Sequence, residues 1–149
     1  MKKYSMILAA MFMAISFTAF SQTNVPAAVK TAFGKKFPTV KKANWGKEGK
    51  TEWEAEFEIN EKDMSANFDL QGNWKETETD LEKDEVPAAV MSVLKAKFPG
   101  YKVKDAAFTK TPKYSAYEIV IKKGVNKKEV TIDKTGKILN IEKGGEESD

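Results

Sequence analysis

Four glutamates at every second position, Glu52, Glu54, Glu56 and Glu58, form the sharpest polar pattern in the chain. They alternate with Trp53, Ala55, Phe57 and Ile59. Side chains of a β-strand point to opposite faces with a period of two, so this spacing puts all four carboxylates on one face. Same-face neighbours stand about 7 Å apart, and such a stripe repels itself unless lysines or a cationic ligand lie alongside. Two readings follow: a lysine-rich partner laid across an exposed sheet face, or a solvated face that blocks edge-to-edge aggregation. The second candidate is Tyr114, which closes the stretch Thr109-Lys110-Thr111-Pro112-Lys113-Tyr114. An aromatic on a basic, proline-containing loop, with Lys110 and Lys113 beside it, is a recognisable anchor for a partner. The plainer alternative is a ring folded over the sheet edge.

Catalysis has little to draw on. The chain contains no His and no Cys, which removes the usual general base, the thiol nucleophile and most zinc sites. Carboxylate pairs exist, but on alternating surface strands nothing is expected to desolvate them. Asp69-Leu70-Gln71-Gly72 and Asp133-Lys134-Thr135-Gly136 look like fragments of calcium loops. They lack the further oxygen ligands and terminal bidentate acid of such loops, and read as hairpin turns. No phosphate-binding glycine loop is present. A non-enzyme without metal or cofactor is expected.

The elements that carry these residues come in two copies. Val25-Pro26-Ala27-Ala28-Val29 returns as Val86-Pro87-Ala88-Ala89-Val90, and Phe37-Pro38 as Phe98-Pro99, in one register. Further on, Trp53-Glu54 aligns with Tyr117-Glu118 and Asp69 to Gly72 with Asp133 to Gly136. Such self-similarity marks a tandem duplication. A feature in both copies is then architecture, and a feature in one is the better functional candidate. Trp45, Trp53 and Trp74 align with Phe108, Tyr117 and Ile138, which argues for core positions rather than ligand-stacking rings. Of the glutamate stripe, only Glu54 has a counterpart, Glu118; the other positions are Ala116, Val120 and Lys122. Tyr114 stands where the first copy has Lys50, on a loop read as about three residues longer.

Each copy reads as one helix followed by four antiparallel strands. In the first, Val25, Val29, Ala32, Phe33 and Phe37 fall at helical spacing, with Asn24 placed to cap and Pro38 to stop the helix. Strands are expected over 40–45 and 52–59, with a turn from Gly46 to Gly49. A third strand carries Met64, Ala66, Phe68 and Leu70, and a fourth carries Trp74. In the second, a helix with Val86, Val90, Val93, Leu94 and Phe98 precedes strands near 102–108, 116–122, 128–133 and 137–141. One helix on four strands is a marginal core, so the units (24–80 and 85–142) should pack as a single α+β domain over 23–143, joined near Glu82-Lys83-Asp84.

Residues 1–22 read as a secretory signal, with Lys2 and Lys3, an apolar run, and Ala19 and Ser21 before the cut. A periplasmic or secreted protein follows, with no membrane insertion after cleavage, and residues 144–149 read as a disordered tail. All 25 basic residues are lysine and nearly balance 22 acids, which suggests no nucleic acid. The distribution is uneven. From Asn24 to Glu85 there are 10 lysines and 14 acids, and from Val86 to Lys143 there are 13 lysines and 5 acids. A second reading is therefore a structural or envelope-stress protein that self-associates weakly, head to tail, through oppositely charged repeats; otherwise a monomer is expected.

The signal, the paired helices opening Val-Pro-x-x-Val and ending Phe-Pro, strands such as Trp53-Glu54-Ala55-Glu56-Phe57 and Tyr117-Glu118-Ile119-Val120-Ile121, and the closing Asp-x-x-Gly hairpins together resemble a family. It is the PepSY-like, β-lactamase-inhibitor-protein-like (BLIP-like) family of small exported Bacteroidetes-type proteins. The resemblance spans the whole mature chain. It implies tandem αβ units whose sheet offers a curved binding surface, as the related inhibitor uses to clasp its enzyme, and PepSY domains are associated with restraint of peptidases. No inhibitory residue carries over, and the inhibitor's disulfides are absent. The function implied is an exported binding module holding a protein or peptide through the sheet face and the Tyr114 loop.

Overall fold

The computed structural model describes residues 24–143; the expected signal (1–22) and tail (144–149) lie outside the described residues. Helix α1, Ala27–Lys36, and helix α2, Ala88–Lys97, begin and end alike. Pro26 and Pro87 stand at the N-caps, each with φ −56° and ψ 142°. Neither helix has a side-chain cap, so the expected role of Asn24 is not taken up. Proline has no side-chain acceptor to offer the first-turn N–H groups, and its fixed φ sets the angle at which the chain enters the helix. Both helices stop at a phenylalanine, Phe37 and Phe98, whose N–H groups close the last turn on Phe33 and Leu94. Lysines in that last turn suit the negative end of the helix dipole.

Eight strands complete the chain: β1 Asn44–Glu48, β2 Glu52–Ile59, β3 Lys62–Asp69, β4 Trp74–Asp80, then after α2 β5 Lys102–Lys110, β6 Ser115–Lys123, β7 Asn126–Asp133 and β8 Ile138–Lys143. They form one antiparallel sheet in sequence order. Strand β1 lies later than the expected 40–45, because Trp45↔Ala55 and Lys47↔Trp53 carry the pairing through Gly46. The turn falls instead at Gly49, which adopts φ +59°. Leu70, expected on the apolar face of β3, is exposed beyond the strand's end.

Register decides what the sheet presents. Phe57 pairs with Met64, Met64 with Thr79, Thr79 with Phe108, Phe108 with Tyr117 and Tyr117 with Ile132, so these six share one face. Both helices lie on it. Val29 and Phe33 of α1 pack with Trp45, Trp53, Phe57 and Phe68, and the Phe33 ring meets Trp45 and Phe57 edge-on at 5.2 and 5.1 Å. Val90 and Leu94 of α2 pack with Ile119, Ile121, Val130 and Ile132. Each of these large side chains contributes about 1.5–3 kcal/mol by leaving water.

The turns after β3 and β7 are tied to the helices. Each β3–β4 and β7–β8 pairing has a bulge, at Asn67/Phe68 and Thr131/Ile132, and the following Gly72 and Gly136 adopt φ +85° and +89°. A Cβ on Gly72 would stand 2.7 Å from the Ala28 carbonyl of α1, and one on Gly136 would stand 3.1 Å from Val93 Cγ2 of α2. The close approach needs glycine. With both helices on one side, the sheet's second face carries no helix among the described residues.

Candidate functional site

Alternation puts the glutamates of β2 on that uncovered face, and register extends the acid across the sheet. Glu54 pairs with Asn67 and Asn67 with Glu76; Glu56 pairs with Ser65, Ser65 with Glu78 and Glu78 with Thr109. In the second half, Glu118 pairs with Ala107 and Thr131, and Glu129 pairs with Val120 and Glu142. Cross-strand partners stand about 5 Å apart, so one band of carboxylates runs from β2 to β8.

Small side chains floor the band. Ala107, Thr109, Ala116, Val120 and Thr131 are all buried on this face, flanked by the stems of the longer glutamates. The carboxyl groups are thereby partly withdrawn from water, and their acidity changes accordingly. Burial, a hydrogen bond with Glu76 and the charge of Glu118 push Glu78 up to about 9. Glu118 rises to about 8 through burial and the charges of Glu76 and Glu129. Burial and Glu142 bring Glu129 to about 7, with Lys127 opposing. Burial also raises Glu52, Glu54 and Glu76. The expectation that nothing desolvates these carboxylates is thus corrected: neighbouring strands desolvate them, although no helix covers them.

Three acceptors at the centre of the band lack a donor. Asn67 Oδ1, Glu78 Oε1 and Thr109 Oγ1 are each buried without a hydrogen-bond partner. The Thr109 hydroxyl lies near enough to Glu118 to favour its ionised form, but closes no hydrogen bond of normal geometry. Orphaned polar atoms cost about 1–3 kcal/mol each when buried. A ligand rich in N–H donors would relieve that cost.

The candidates from the sequence fall on both sides of the sheet. Glu52, Glu54 and Glu56 are half-buried members of the acidic band, and Glu58 is exposed at the end of β2. Tyr114 joins them: it is half-buried, and burial and the charges of Glu118, Glu76 and Glu78 raise its phenol. Its loop is short, 111–114 against 49–51 in the first half, because β5 and β6 extend to Lys110 and Ser115. The expected three extra residues are therefore taken up mostly as strand. The Thr111 hydroxyl accepts from the N–H groups of Lys113 and Tyr114 at 3.2 and 3.1 Å, fixing the loop. Lys113 is exposed there. Lys110 lies on the other face, paired with Thr77, where its charge lowers the pKa of Lys36 after burial does.

Glu76, Glu78, Glu118, Glu129 and Glu142 were missed as site residues. The alternation Glu76-Thr77-Glu78-Thr79-Asp80 was a usable signal, but only cross-strand register shows that these acids continue the β2 stripe. Among the described residues, no group of three or more acids fits a metal ion. The turn aspartates are spent on their own backbone. Asp69 accepts from the N–H groups of Gln71 and Asn73 at 3.1 and 2.9 Å, and Asp133 from Thr135 and Lys137 at 2.8 and 3.0 Å.

A family model described as "Putative beta-lactamase-inhibitor-like, PepSY-like" matches residues 51–140, more than half of the chain. No curated protein matches. Among solved structures, a DUF2874 family protein from Bacteroides uniformis is 28% identical, with a TM-score of 0.74 over 79% of this chain and 88% of that one. A protein from Bacteroides eggerthii, described as a "putative periplasmic" protein, is 26% identical, with a TM-score of 0.73 over 80% and 89%. A BLIP-like protein from Bacteroides fragilis, 21% identical, shares the fold with a TM-score of 0.72 over 83% and 92%.

Proposed function

The chain belongs to the PepSY-like, beta-lactamase-inhibitor-like family, and from that membership we propose that it is an exported, non-enzymatic binding module whose helix-free sheet face holds a lysine- or arginine-rich protein segment. The observation that carries this reading is the band of half-buried carboxylates over three donorless acceptors. A face that stays bare has no reason to keep such groups away from water, whereas a cationic segment supplies both charge and N–H donors. Tyr114, at the band's edge, is placed to pack against the aliphatic stem of an incoming lysine. The family description and the Bacteroides fragilis neighbour's naming as BLIP-like support a mode in which binding restrains the partner. The absence of His and Cys supports a role without catalysis. Residues 1–22 as a signal, and the eggerthii neighbour's description, support export to the periplasm.

We read the two halves as repeats of one helix-plus-four-strand unit, 24–80 and 85–142. The matching proline caps, bulges and glycine turns support this. A second reading, weak head-to-tail self-association, draws on the excess of acids in the first half and of lysines in the second. The binding reading is tested by calorimetry with a lysine-rich peptide, comparing the parent with a Glu54→Ala, Glu56→Ala double variant and with Glu118→Gln. Weakened binding by both supports it, and equal binding by all three contradicts it. Capture from native envelope with the same variants would then identify the partner.

A further inference from the structure

The β6–β7 hairpin combines two features that its counterpart lacks. Its tip is Gly124-Val125, and Val125 is 94% exposed, the most exposed large apolar side chain among the described residues. Around it stand Lys122, Lys123, Lys127 and Lys128, and Lys102 pairs with Lys122 from the neighbouring strand. Lys102, Lys104, Lys122 and Lys123 line an open cleft of about 270 Å³ with Gly100 and Gly124. Lys123 Nζ donates to the Pro99 carbonyl at 3.2 Å and lies across Gly100, so part of this cationic wall is held in place. The nearest acids on the open face, Asp105 and Glu129, sit one same-face step inward, opposite Val120.

The first half has the opposite chemistry at the corresponding hairpin, Glu58-Ile59-Asn60-Glu61-Lys62-Asp63, with three acids and one lysine. That hairpin lies four strands away at the same end of the sheet, about 19 Å at ordinary strand spacing. This is more than two screening lengths at physiological salt. Its acids therefore leave the field around Val125 basic.

We propose that the β6–β7 hairpin is a peripheral docking site for an anionic phospholipid surface. Lysines 102, 104, 122, 123, 127 and 128 meet the lipid phosphates, and Val125 dips among the headgroups. Lysine suits this role as a compact charge that needs no fixed geometry, unlike the planar fork of arginine. An exposed apolar tip within a basic ring is what an anionic interface attracts and what bulk water disfavours. The tip lies past the end of the acidic band, whose nearest member, Glu129, sits one same-face step inward from Lys127, so the β2 to β4 part of the band stays open for a partner. No helix among the described residues is long and apolar enough to cross a membrane, and docking of this kind requires none.

The test uses the chain from Thr23 to Asp149, which contains every described residue. Vesicles of phosphatidylcholine alone are compared with vesicles containing about one third phosphatidylglycerol. Co-sedimentation is expected only with the anionic vesicles, and is expected to be lost at about 0.5 M salt. Each lysine near such a surface is worth about five-fold in partition, the equivalent of about 1 kcal/mol, so Lys102→Gln with Lys123→Gln should weaken binding roughly thirty-fold. The chain has no Cys, so Val125→Cys carrying a polarity-sensitive dye reports the tip, and Lys50→Cys reports the far end of the sheet. A blue shift at 125 and none at 50 supports the proposal. Equal shifts at both, no binding to anionic vesicles, or full displacement by inorganic phosphate at low millimolar concentration overturns it. Self-association through this hairpin without lipid, detected by sedimentation, would also overturn it.

Discussion

Glu78 of β4 and Thr109 of β5 face each other across the seam where the two halves of the sheet meet, and neither the buried Oε1 of the one nor the Oγ1 of the other has a hydrogen-bond partner. Burial, with the Glu76 hydrogen bond and the charge of Glu118, pushes Glu78 up to about 9 and holds it as a neutral acid at physiological pH. A carboxyl whose pKa is raised by folding stabilises the fold fully below its unfolded value, and that contribution is lost as pH rises to the folded value. Stability should accordingly fall between pH 5 and 9, by about 1.4 kcal/mol per pH unit for each proton held only by the folded state. Denaturant unfolding across that range checks this. Glu78→Gln should flatten the slope and stabilise the chain at pH 9; an unchanged profile would mean that the carboxyl is well solvated.

The two turn aspartates have the opposite sign. Burial opposes ionisation of Asp69, but the Asn73 side chain and N–H and the Lys75 ammonium at 3.0 Å outweigh it and bring the group to about 2. Asp133 is also lowered, first by the Thr135 hydroxyl. Their contributions are present above the unfolded carboxylate range and disappear as pH falls through it towards the folded values. Opposed slopes place the stability maximum near pH 4–5. Asp69→Asn should lower stability throughout the neutral range, where the ionised group contributes fully, and the difference from the parent should shrink as pH falls below about 4.

How legible this was depended on distance along the chain. The helices, the hairpin turns and the β2 stripe are local patterns, and Val29, Trp53 and Phe57 lie in the core as their spacing indicates. What was not legible is the band itself. Glu76, Glu78, Glu118 and Glu129 come together only through the pairing of β4 with β5, β5 with β6 and β6 with β7, which no periodicity encodes. Lys110, expected on the loop beside Tyr114, is instead the last residue of β5. Parity along its strand assigns it to the Thr77 side, but the length of the following loop hid where the strand ended.

Glycine turns give a sharp packing test. Gly72→Ala and Gly136→Ala both force a side chain into positive φ, at about 1–2 kcal/mol. Gly72→Ala should cost clearly more, because its Cβ meets the rigid Ala28 carbonyl, whereas that of Gly136 meets a Val93 methyl that can rotate away. Equal melting of the two would contradict the docking of the β3–β4 turn on α1.

Core truncations separate the halves in the same way. Trp53 is 5% exposed inside the first core, and Trp53→Ala should cost about 3–5 kcal/mol. Its counterpart Tyr117 is only half-buried at the margin of the second core, against Phe108 at 5.1 Å, so Tyr117→Ala should cost less. Thermal unfolding of both variants decides the order.

If the charge split drives head-to-tail association, the assembly should dissociate as salt rises, since exposed charges are screened beyond about 8 Å at physiological ionic strength. Sedimentation at low and high salt measures this. One mass at both conditions would remove the self-association reading and leave the binding module.

Cation binding to the band should also move protons. Glu78 and Glu118, near 9 and 8, are mostly neutral at pH 7 and must ionise to meet an ammonium group, so affinity should rise with pH up to about 9. The most direct measurement is a methyl NMR titration with a lysine-rich peptide. The methyls of Ala107, Thr109, Ala116, Val120 and Thr131, on the helix-free face, should shift together, more strongly at pH 8 than at pH 6, while those of Val29 and Leu94, on the buried sides of the two helices, stay fixed. Shifts confined to the helix side, or none on the open face at either pH, would contradict the assignment of this face as the binding surface.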